Sequence, residues 1–196
     1  MKIFQKLLIF LLIKTVMSKK LITEESRIAY LNRNNKMQEL GFSKKGDELF
    51  ISTLVAESEQ IENLHVKAKI NNFEIENDAP EDLGGRSGRP PPMQALLATY
   101  ANCLEITALL YFSFSNIKAN SIKVRVEATL DKRSALLTKE APLPGFFNIT
   151  QIWYIDSNES LNKINKVLEM VEKICPVGGT FLRSHEFTHK IVINSS

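Results

Sequence analysis

The sequence predicts an α+β fold with antiparallel sheets, and three observations support this class. The 196 residues correspond to about one domain with some additional length. Apolar and polar residues alternate in several short segments, which is typical of strands with one solvated face. The predicted order is three strands, a helix, two strands, a helix and a strand, with no parallel crossover.

The composition excludes several function classes. Hydrophobic residues make up 44% of the chain and charged residues 24%, which favours a folded domain over a disordered or fibrous chain. The net charge of +3 comes from 25 basic and 22 acidic residues, so no nucleic-acid partner is predicted. Two cysteines are too few for a disulfide-rich secreted scaffold or an all-cysteine zinc site.

The first 16 residues are apolar, but two lysines restrict the uninterrupted apolar run to Leu7–Ile13. That run is too short to span a bilayer, so we predict no stable membrane insertion. Three interpretations remain for this segment: a dispensable leader before a second start at Met17, a targeting segment, or an amphipathic helix. The polar stretch from Leu21 to Gly41 is compatible with a short helix.

Three strands are predicted next. Alternation with period two begins near Glu48 and predicts a first strand around residues 50–54 and a second at residues 65–70. Asn71-Asn72 is suited to a hairpin turn that leads into a third strand, Phe73 to Glu76. A loop rich in glycine and proline follows from Asp78 and ends at Pro92.

A long helix is predicted from Met93 to Phe114, where Glu105 is the only acidic residue. A helix that is apolar on all sides is normally enclosed by the rest of the protein or by a partner subunit. Two alternating segments, Ile122 to Leu130 and Phe147 to Ile155, then predict two further strands.

The second helix opens near residues 157–160 and carries one apolar stripe. Its members lie three or four residues apart: Leu161, Ile164, Leu168, Val171 and Cys175. Pro176 and the glycine pair at 178–179 are expected to end this helix. Alternation from His189 to Asn194 predicts a closing strand.

Both cysteines fall on the predicted helices. Cys103 lies about three turns after Pro92, and Cys175 ends the apolar stripe of the second helix. If the two helices pack together, the thiols come within disulfide reach despite their separation in sequence. The alternative is two inert buried cysteines, since free cysteine behaves as a small hydrophobic residue.

The two positions differ in their expected electrostatics. Cys103 lies too deep in its helix for the helix dipole to act on it, so a thiolate there requires a cation such as arginine. Cys175 lies near the negative end of its helix, which favours the thiol. Attack by Cys103 and resolution by Cys175 is therefore the more natural division of roles.

The run from Leu83 to Cys103, which begins Leu-Gly-Gly-Arg-Ser-Gly-Arg-Pro-Pro-Pro, resembles the loop and cysteine helix of OsmC-like proteins. This superfamily includes the organic hydroperoxide resistance (Ohr) peroxidases. Pro144-Gly-Phe and Ile174-Cys-Pro-Val resemble its other motifs. The similarity extends from about Leu64 to Ile193, and implies an intertwined homodimer with antiparallel sheets around two long central helices.

With this resemblance the chain divides into three parts. Residues 1–16 form a leader or dispensable extension, residues 17–47 an N-terminal extension, and residues 48–196 the OsmC-like domain. A cytoplasmic location is expected.

The resemblance also implies a thiol peroxidase cycle. Cys103 attacks an organic hydroperoxide, Cys175 resolves the product as a disulfide, and an external dithiol resets the enzyme. No metal or organic cofactor is required.

The peroxidases of the family have a glutamate in the first turn of the cysteine helix, which holds an arginine over the thiolate. Here that position is Met93, so the chain is more similar to the poorly characterised OsmC-like branch, and Arg86 is the candidate activating group.

One motif suggests a different chemistry. His185-Glu-Phe-Thr-His189 fits the zinc-protease pattern, which requires both imidazoles on one helical face. A strand is predicted directly after it, so we do not expect a protease.

Three functions are retained: the peroxidase, a non-enzymatic redox or hydrophobic-ligand binding protein of stress response, and a dimeric structural protein with silent cysteines.

Overall fold

The computed structural model describes residues 20–193 and confirms an α+β fold with antiparallel sheets. The prediction made for residues 1–16 lies outside the described residues. The described chain contains a three-stranded sheet, a two-stranded sheet and a group of helices that share one core.

Two helices, α1 (Glu24–Leu40) and α2 (Lys44–Phe50), precede the first sheet. Helix α1 confirms the helix expected in this polar stretch. The strand predicted around residues 50–54 is wrong: α2 ends at Phe50, and residues 51–56 form no strand. The side chain of Ser43 accepts a hydrogen bond from the Gly46 N–H and caps α2, which includes Phe50, the first residue of the predicted strand.

The first sheet consists of β1 (Glu57–Glu62), β2 (His65–Ile70) and β3 (Phe73–Asn77) in antiparallel order. The predicted hairpin turn is confirmed, and Asn71 in it has a φ of 53°. Asparagine accepts this left-handed conformation more readily than most residues, which explains the turn.

The loop after β3 folds around Asp78. This carboxylate is buried and accepts hydrogen bonds from the N–H groups of Ala79 (2.8 Å) and Arg86 (2.9 Å). At Gly85 a Cβ atom would lie 1.7 Å from the carbonyl oxygen of Ala79, so only glycine fits at this close approach. The loop therefore has a defined shape that carries the chain to the start of the next helix.

The remaining elements carry most of the core. Helix α3 spans Pro92–Phe114, and strands β4 (Ala119–Leu130) and β5 (Phe146–Ser157) pair antiparallel as predicted. Helix α4 covers Leu161–Ile174 and is followed directly by the short helix α5 (Pro176–Phe181). Pro176 ends α4 as predicted, but the two glycines, which were expected to end the same helix, lie within α5.

The core lies between α3, α4 and β4. Its largest fully buried side chains are Phe112, Leu104, Val171 and Cys175. The three-stranded sheet contributes no residue to it and makes no substantial packing contact with the described helices or the second sheet. Only four side chains of α3 are buried. Within residues 20–193, α3 is the one helix whose length and apolar composition would be sufficient to cross a membrane.

The closing strand predicted from His189 to Asn194 is wrong within the described residues. Residues 184–193 form neither helix nor strand, and Ile191, Val192 and Ile193 are exposed. A strand requires a neighbouring strand to bind its backbone N–H and C=O groups. The described part of this chain supplies no such neighbour here, so alternation alone does not produce the strand.

Candidate active site

The structure brings the two cysteines together. Cys103 lies in the middle of α3 and is partly buried, whereas Cys175 lies at the junction of α4 and α5 and is 1% exposed. Their sulfur atoms are 3.3 Å apart, and the Cys175 S–H donates toward the Cys103 sulfur. Formation of a disulfide would require the sulfurs to approach by about 1.3 Å.

The helix junction determines the position of the second thiol. The Cys175 N–H donates to the carbonyl of Val171 at 2.9 Å and so completes the last turn of α4. The Cys175 sulfur accepts a hydrogen bond from the Gly178 N–H at 3.4 Å and so caps the start of α5. Pro176 occupies the first position of α5, where no N–H is needed. One residue therefore ends one helix and begins the next, with its thiol pointing into the core.

The surroundings favour the thiol form of Cys175. Burial raises the pKa of the Cys175 thiol above its usual value of 9.0, and the neighbouring Cys103 sulfur raises it further. The N–H groups of Gly178 and Val177 act in the opposite direction. The sequence predicted that the negative end of the helix keeps Cys175 protonated. In the structure the main cause of the raised pKa is burial of the thiol.

This shift predicts a pH dependence of folding stability in the reduced protein. Because the folded pKa of Cys175 is raised, its stabilising contribution is complete below about pH 9 and is lost as the pH rises through the folded pKa. We expect urea unfolding of the reduced wild type between pH 7 and 10.5 to lose more stability above pH 9 than Cys175→Ser. The pKa of Tyr100 is raised mainly by burial, which both proteins share, and also by the neighbouring Cys175, so that second part is lost in the variant and adds to the expected difference. Parallel pH profiles for the two proteins would contradict the expectation.

Tyr100 packs beside the two thiols. It lies one turn before Cys103, is 7% exposed, and its hydroxyl accepts a hydrogen bond from Gln151 Nε2 at 2.8 Å. Its ring contacts Phe181 edge to face, with centroids 5.2 Å apart. Two neighbouring buried atoms on β5, Gln151 Oε1 and Trp153 Nε1, have no hydrogen-bond partner within the described chain.

Neither Tyr100 nor Gln151 stands out in the sequence. The available signal for Tyr100 is its spacing of three residues from Cys103, which places both on one side of the helix. The signal for Gln151 is a polar residue in a strand whose alternation turns it toward the core. The two residues become partners only in the tertiary structure, where Gln151 of β5 reaches the Tyr100 hydroxyl.

Arg86, the predicted activating group, lies in the loop before α3. Its Nη1 binds Glu62 Oε1 at 2.6 Å, and its side chain is 71% exposed. Among the described residues no hydrogen bond or ion pair joins Arg86 to Cys103. The first turn of α3 contains no acidic residue, and Met93 there is partly buried. Thus Glu62 on β1, rather than a residue of α3, holds this guanidinium.

The two lysines of β2 are also paired with carboxylates. Lys67 binds Glu74 at 3.4 Å, and Lys69 binds Glu59 at 3.5 Å. These pairs connect neighbouring strands of the first sheet, and Arg86 is paired with a carboxylate of the same sheet in the same way.

The zinc-protease pattern lacks the structure that its chemistry requires. Residues 185–189 are not helical, and His185 Nε2 lies 3.0 Å from the carbonyl oxygen of Thr180. Within residues 20–193, no group of three or more His, Cys, Asp or Glu side chains is arranged to hold a metal ion. The two histidines therefore do not form the pair on one helical face that this pattern requires.

Comparison with known proteins identifies a family model and several solved structures that are similar to this chain. A family model described as OsmC-like protein matches residues 84–190, and no curated protein matches. An OsmC-like protein from Mycoplasma pneumoniae has a similar structure, with 23% identity and a TM-score of 0.57, covering 67% of this chain and 88% of that one.

Two further structures are similar. An OsmC-like protein of unknown function from Vibrio cholerae has 11% identity and a TM-score of 0.56, covering 66% of this chain and 94% of that one. An organic hydroperoxide resistance protein from Elizabethkingia anophelis has 18% identity and a TM-score of 0.52, covering 66% and 88%. The family match extends over more than half of the chain and includes both cysteines. This protein therefore belongs to the OsmC-like family.

Proposed function

We propose that this protein is a thiol peroxidase that reduces organic hydroperoxides with Cys103 and Cys175. The observation that carries the proposal is the 3.3 Å distance between the two sulfurs, which come from positions 72 residues apart in the sequence. Membership of the OsmC-like family supports a redox role. The similar structure named as an organic hydroperoxide resistance protein supports this substrate class.

The cycle has three balanced steps. The Cys103 thiolate attacks the O–O bond of ROOH and, with one proton, gives the alcohol ROH and a sulfenic acid on Cys103. The Cys175 thiol then attacks the sulfenic sulfur, forms the Cys103–Cys175 disulfide and releases water. An external dithiol reduces the disulfide by exchange and becomes a disulfide itself. The steps use no metal or organic cofactor.

Exposure and hydrogen bonding support the division of roles between the thiols. Cys103 retains some accessible surface, whereas Cys175 is 1% exposed and therefore poorly placed to meet a substrate. The Cys175 S–H donates toward the Cys103 sulfur, so Cys103 is the acceptor in the pair. A sulfenic acid on Cys103 would form within reach of its resolving partner, because the two sulfurs are 3.3 Å apart.

We further propose a homodimer. In the described chain the three-stranded sheet contributes no residue to the core, and only four side chains of the apolar helix α3 are buried. A second copy would cover both surfaces.

A dimer would also give Arg86 a route to the thiols. In a single chain its guanidinium is bound to Glu62 on a sheet that lies apart from the cysteine helix. An intertwined arrangement would place the loop of one subunit beside the cysteines of the other. Arg86 would then stabilise the attacking thiolate. Glu62 would hold the guanidinium in place, which Met93 cannot do because it has no carboxylate.

The proposed location is the cytoplasm, where thioredoxin-type and glutathione systems keep thiols reduced. The dithiol that resets the cycle is available there.

The testing experiment mixes the reduced protein with one equivalent of cumene hydroperoxide or of hydrogen peroxide. We expect two thiols per chain to be lost, a Cys103–Cys175 disulfide to be located by mass spectrometry, and cumyl alcohol to form in equal amount. The organic peroxide should react faster. Added dithiothreitol should restore both thiols and support repeated turnover.

The matched control is free glutathione under the same conditions. Oxidation of Cys103 no faster than that of glutathione would reject the peroxidase and favour the non-enzymatic binding protein. Loss of no thiol would favour a structural protein with silent cysteines.

A further inference from the structure

The position of Cys175 depends on a contact made by Tyr100. A methyl group on Gly178 would lie 3.1 Å from Tyr100 Cε2 and 3.4 Å from its hydroxyl oxygen, so the ring lies directly against this glycine. The N–H of the same glycine binds the Cys175 sulfur. The tyrosine therefore touches the residue that holds the second thiol.

The ring itself is held on two further sides. Gln151 of β5 donates to its hydroxyl, and Phe181 at the end of α5 packs edge to face against it. Tyr100 is nearly fully buried, so it has little room to move away from Gly178. Strand β5, helix α3 and helix α5 thus meet at one side chain next to the sulfurs.

We propose that Tyr100 is a positioning residue for the resolving thiol, because its ring holds the Gly178 turn that directs the Cys175 sulfur at Cys103. Tyr100 donates no proton to the reacting atoms in this assignment and acts only through Gly178. The inference deepens the proposed function, since disulfide formation is the second step of that cycle.

Two pairs of variants test this role. Gly178→Ala places a methyl group against the ring, whereas Gly179→Ala adds the same methyl to the next residue, which has no atom within 4 Å. Tyr100→Phe removes the hydrogen bond to Gln151, whereas Tyr111→Phe removes a tyrosine hydroxyl that faces Tyr30, three turns along the same helix. Each control matches the chemical change and leaves the thiol contact intact.

The first readout is the equilibrium of the full-length protein with oxidised and reduced dithiothreitol. In this exchange the protein dithiol becomes the Cys103–Cys175 disulfide while oxidised dithiothreitol takes up two electrons and two protons. We expect the equilibrium constant for disulfide formation to fall about tenfold in Gly178→Ala. The added methyl group displaces the Gly178 turn by a few tenths of an ångström and so moves the Cys175 sulfur out of line with Cys103. We expect a decrease of about fivefold in Tyr100→Phe, and both controls within twofold of wild type.

The second readout separates positioning from general damage. In a Cys175→Ser background, the rate at which Cys103 forms a trappable sulfenic acid with peroxide should be the same whether or not the Tyr100→Phe substitution is present. A Tyr100→Phe variant that slows this first step as much as disulfide formation would overturn the proposal, as would a Gly179→Ala effect equal to that of Gly178→Ala. An unchanged dithiothreitol equilibrium in both test variants would also overturn it.

The dithiothreitol equilibrium keeps this test independent of the peroxidase. If the wild type forms the disulfide in redox buffer but reduces no hydroperoxide, the proposed function fails while the role of Tyr100 is still measured. If hydroperoxide is reduced and the variants leave the equilibrium unchanged, only the role of Tyr100 fails.

Discussion

Replacement of Cys103 by serine is expected to abolish the reduction of organic hydroperoxide by this protein. Serine has no thiolate and does not attack an O–O bond at neutral pH, so the rate of cumyl alcohol formation should fall by at least about a thousandfold. Stopped-flow kinetics with cumene hydroperoxide measures this rate directly. Retention of more than a tenth of the wild-type rate would assign the chemistry to another group.

Replacement of Cys175 by serine is the matched control and should stop the cycle one step later. Cys103 should still consume one equivalent of hydroperoxide, but its sulfenic acid has no partner thiol. It should then be trapped by dimedone, or proceed to sulfinic and sulfonic acids with excess peroxide. Equal behaviour of the two variants would show that the thiols do not have the separate roles proposed here.

Replacement of Ile106 by arginine is expected to dissociate the proposed homodimer. Ile106 lies in the middle of α3 and is 61% exposed in the described chain, on the face that the core leaves uncovered. A guanidinium buried there without a partner costs several kcal/mol, so the dissociation constant should rise about a hundredfold or more. Sedimentation velocity should show a change from twice the chain mass to the chain mass.

Leu161→Arg provides the control for that experiment. It makes the same apolar-to-basic change at the exposed first residue of α4, away from the uncovered face of α3. This variant should sediment as wild type. A wild-type protein that is already monomeric at micromolar concentration would contradict the dimer, and with it the route proposed for Arg86.

The fold could be predicted best where the apolar pattern is long and unambiguous. Helix α3 begins one residue from its predicted start and ends at the predicted residue, and β4 and β5 contain the segments expected to form them. In β4 the alternating residues Ile122 and Val124 are buried, and the four buried residues of α3 repeat every four positions: Tyr100, Leu104, Ala108 and Phe112. Local pattern and tertiary packing therefore agree.

The two wrong strands share one physical cause. Residues 50–54 and 189–194 alternate, but a strand also depends on a partner that supplies hydrogen bonds, and the partner lies elsewhere in the sequence. In the first case the helix capped by Ser43 includes only Phe50, and residues 51–54 pair with no strand; the second segment has no neighbouring strand among the described residues. Alternation over five or six residues carries too little information to outweigh these effects.

Some features of the candidate site could be predicted from the sequence, and others depend on the tertiary structure. Positions of the two cysteines on apolar helices were readable from spacing, and a close approach followed if those helices packed. The contacts of Tyr100 with Gln151 and Gly178 join three elements that are far apart in the chain, so no local pattern contains them. The partner of Arg86 is likewise a matter of tertiary structure.

The shared role of Cys175 at two helix ends has a practical consequence for how the thiol is removed. Serine is among the preferred residues at the start of a helix and accepts the same N–H bond, whereas alanine loses it at a cost of about 1 kcal/mol. An alanine variant would thus change redox chemistry and backbone architecture together. The serine variant keeps the cap between α4 and α5 and removes only the sulfur, which makes it the isosteric probe for separating the reactivity of this residue from its contribution to the fold.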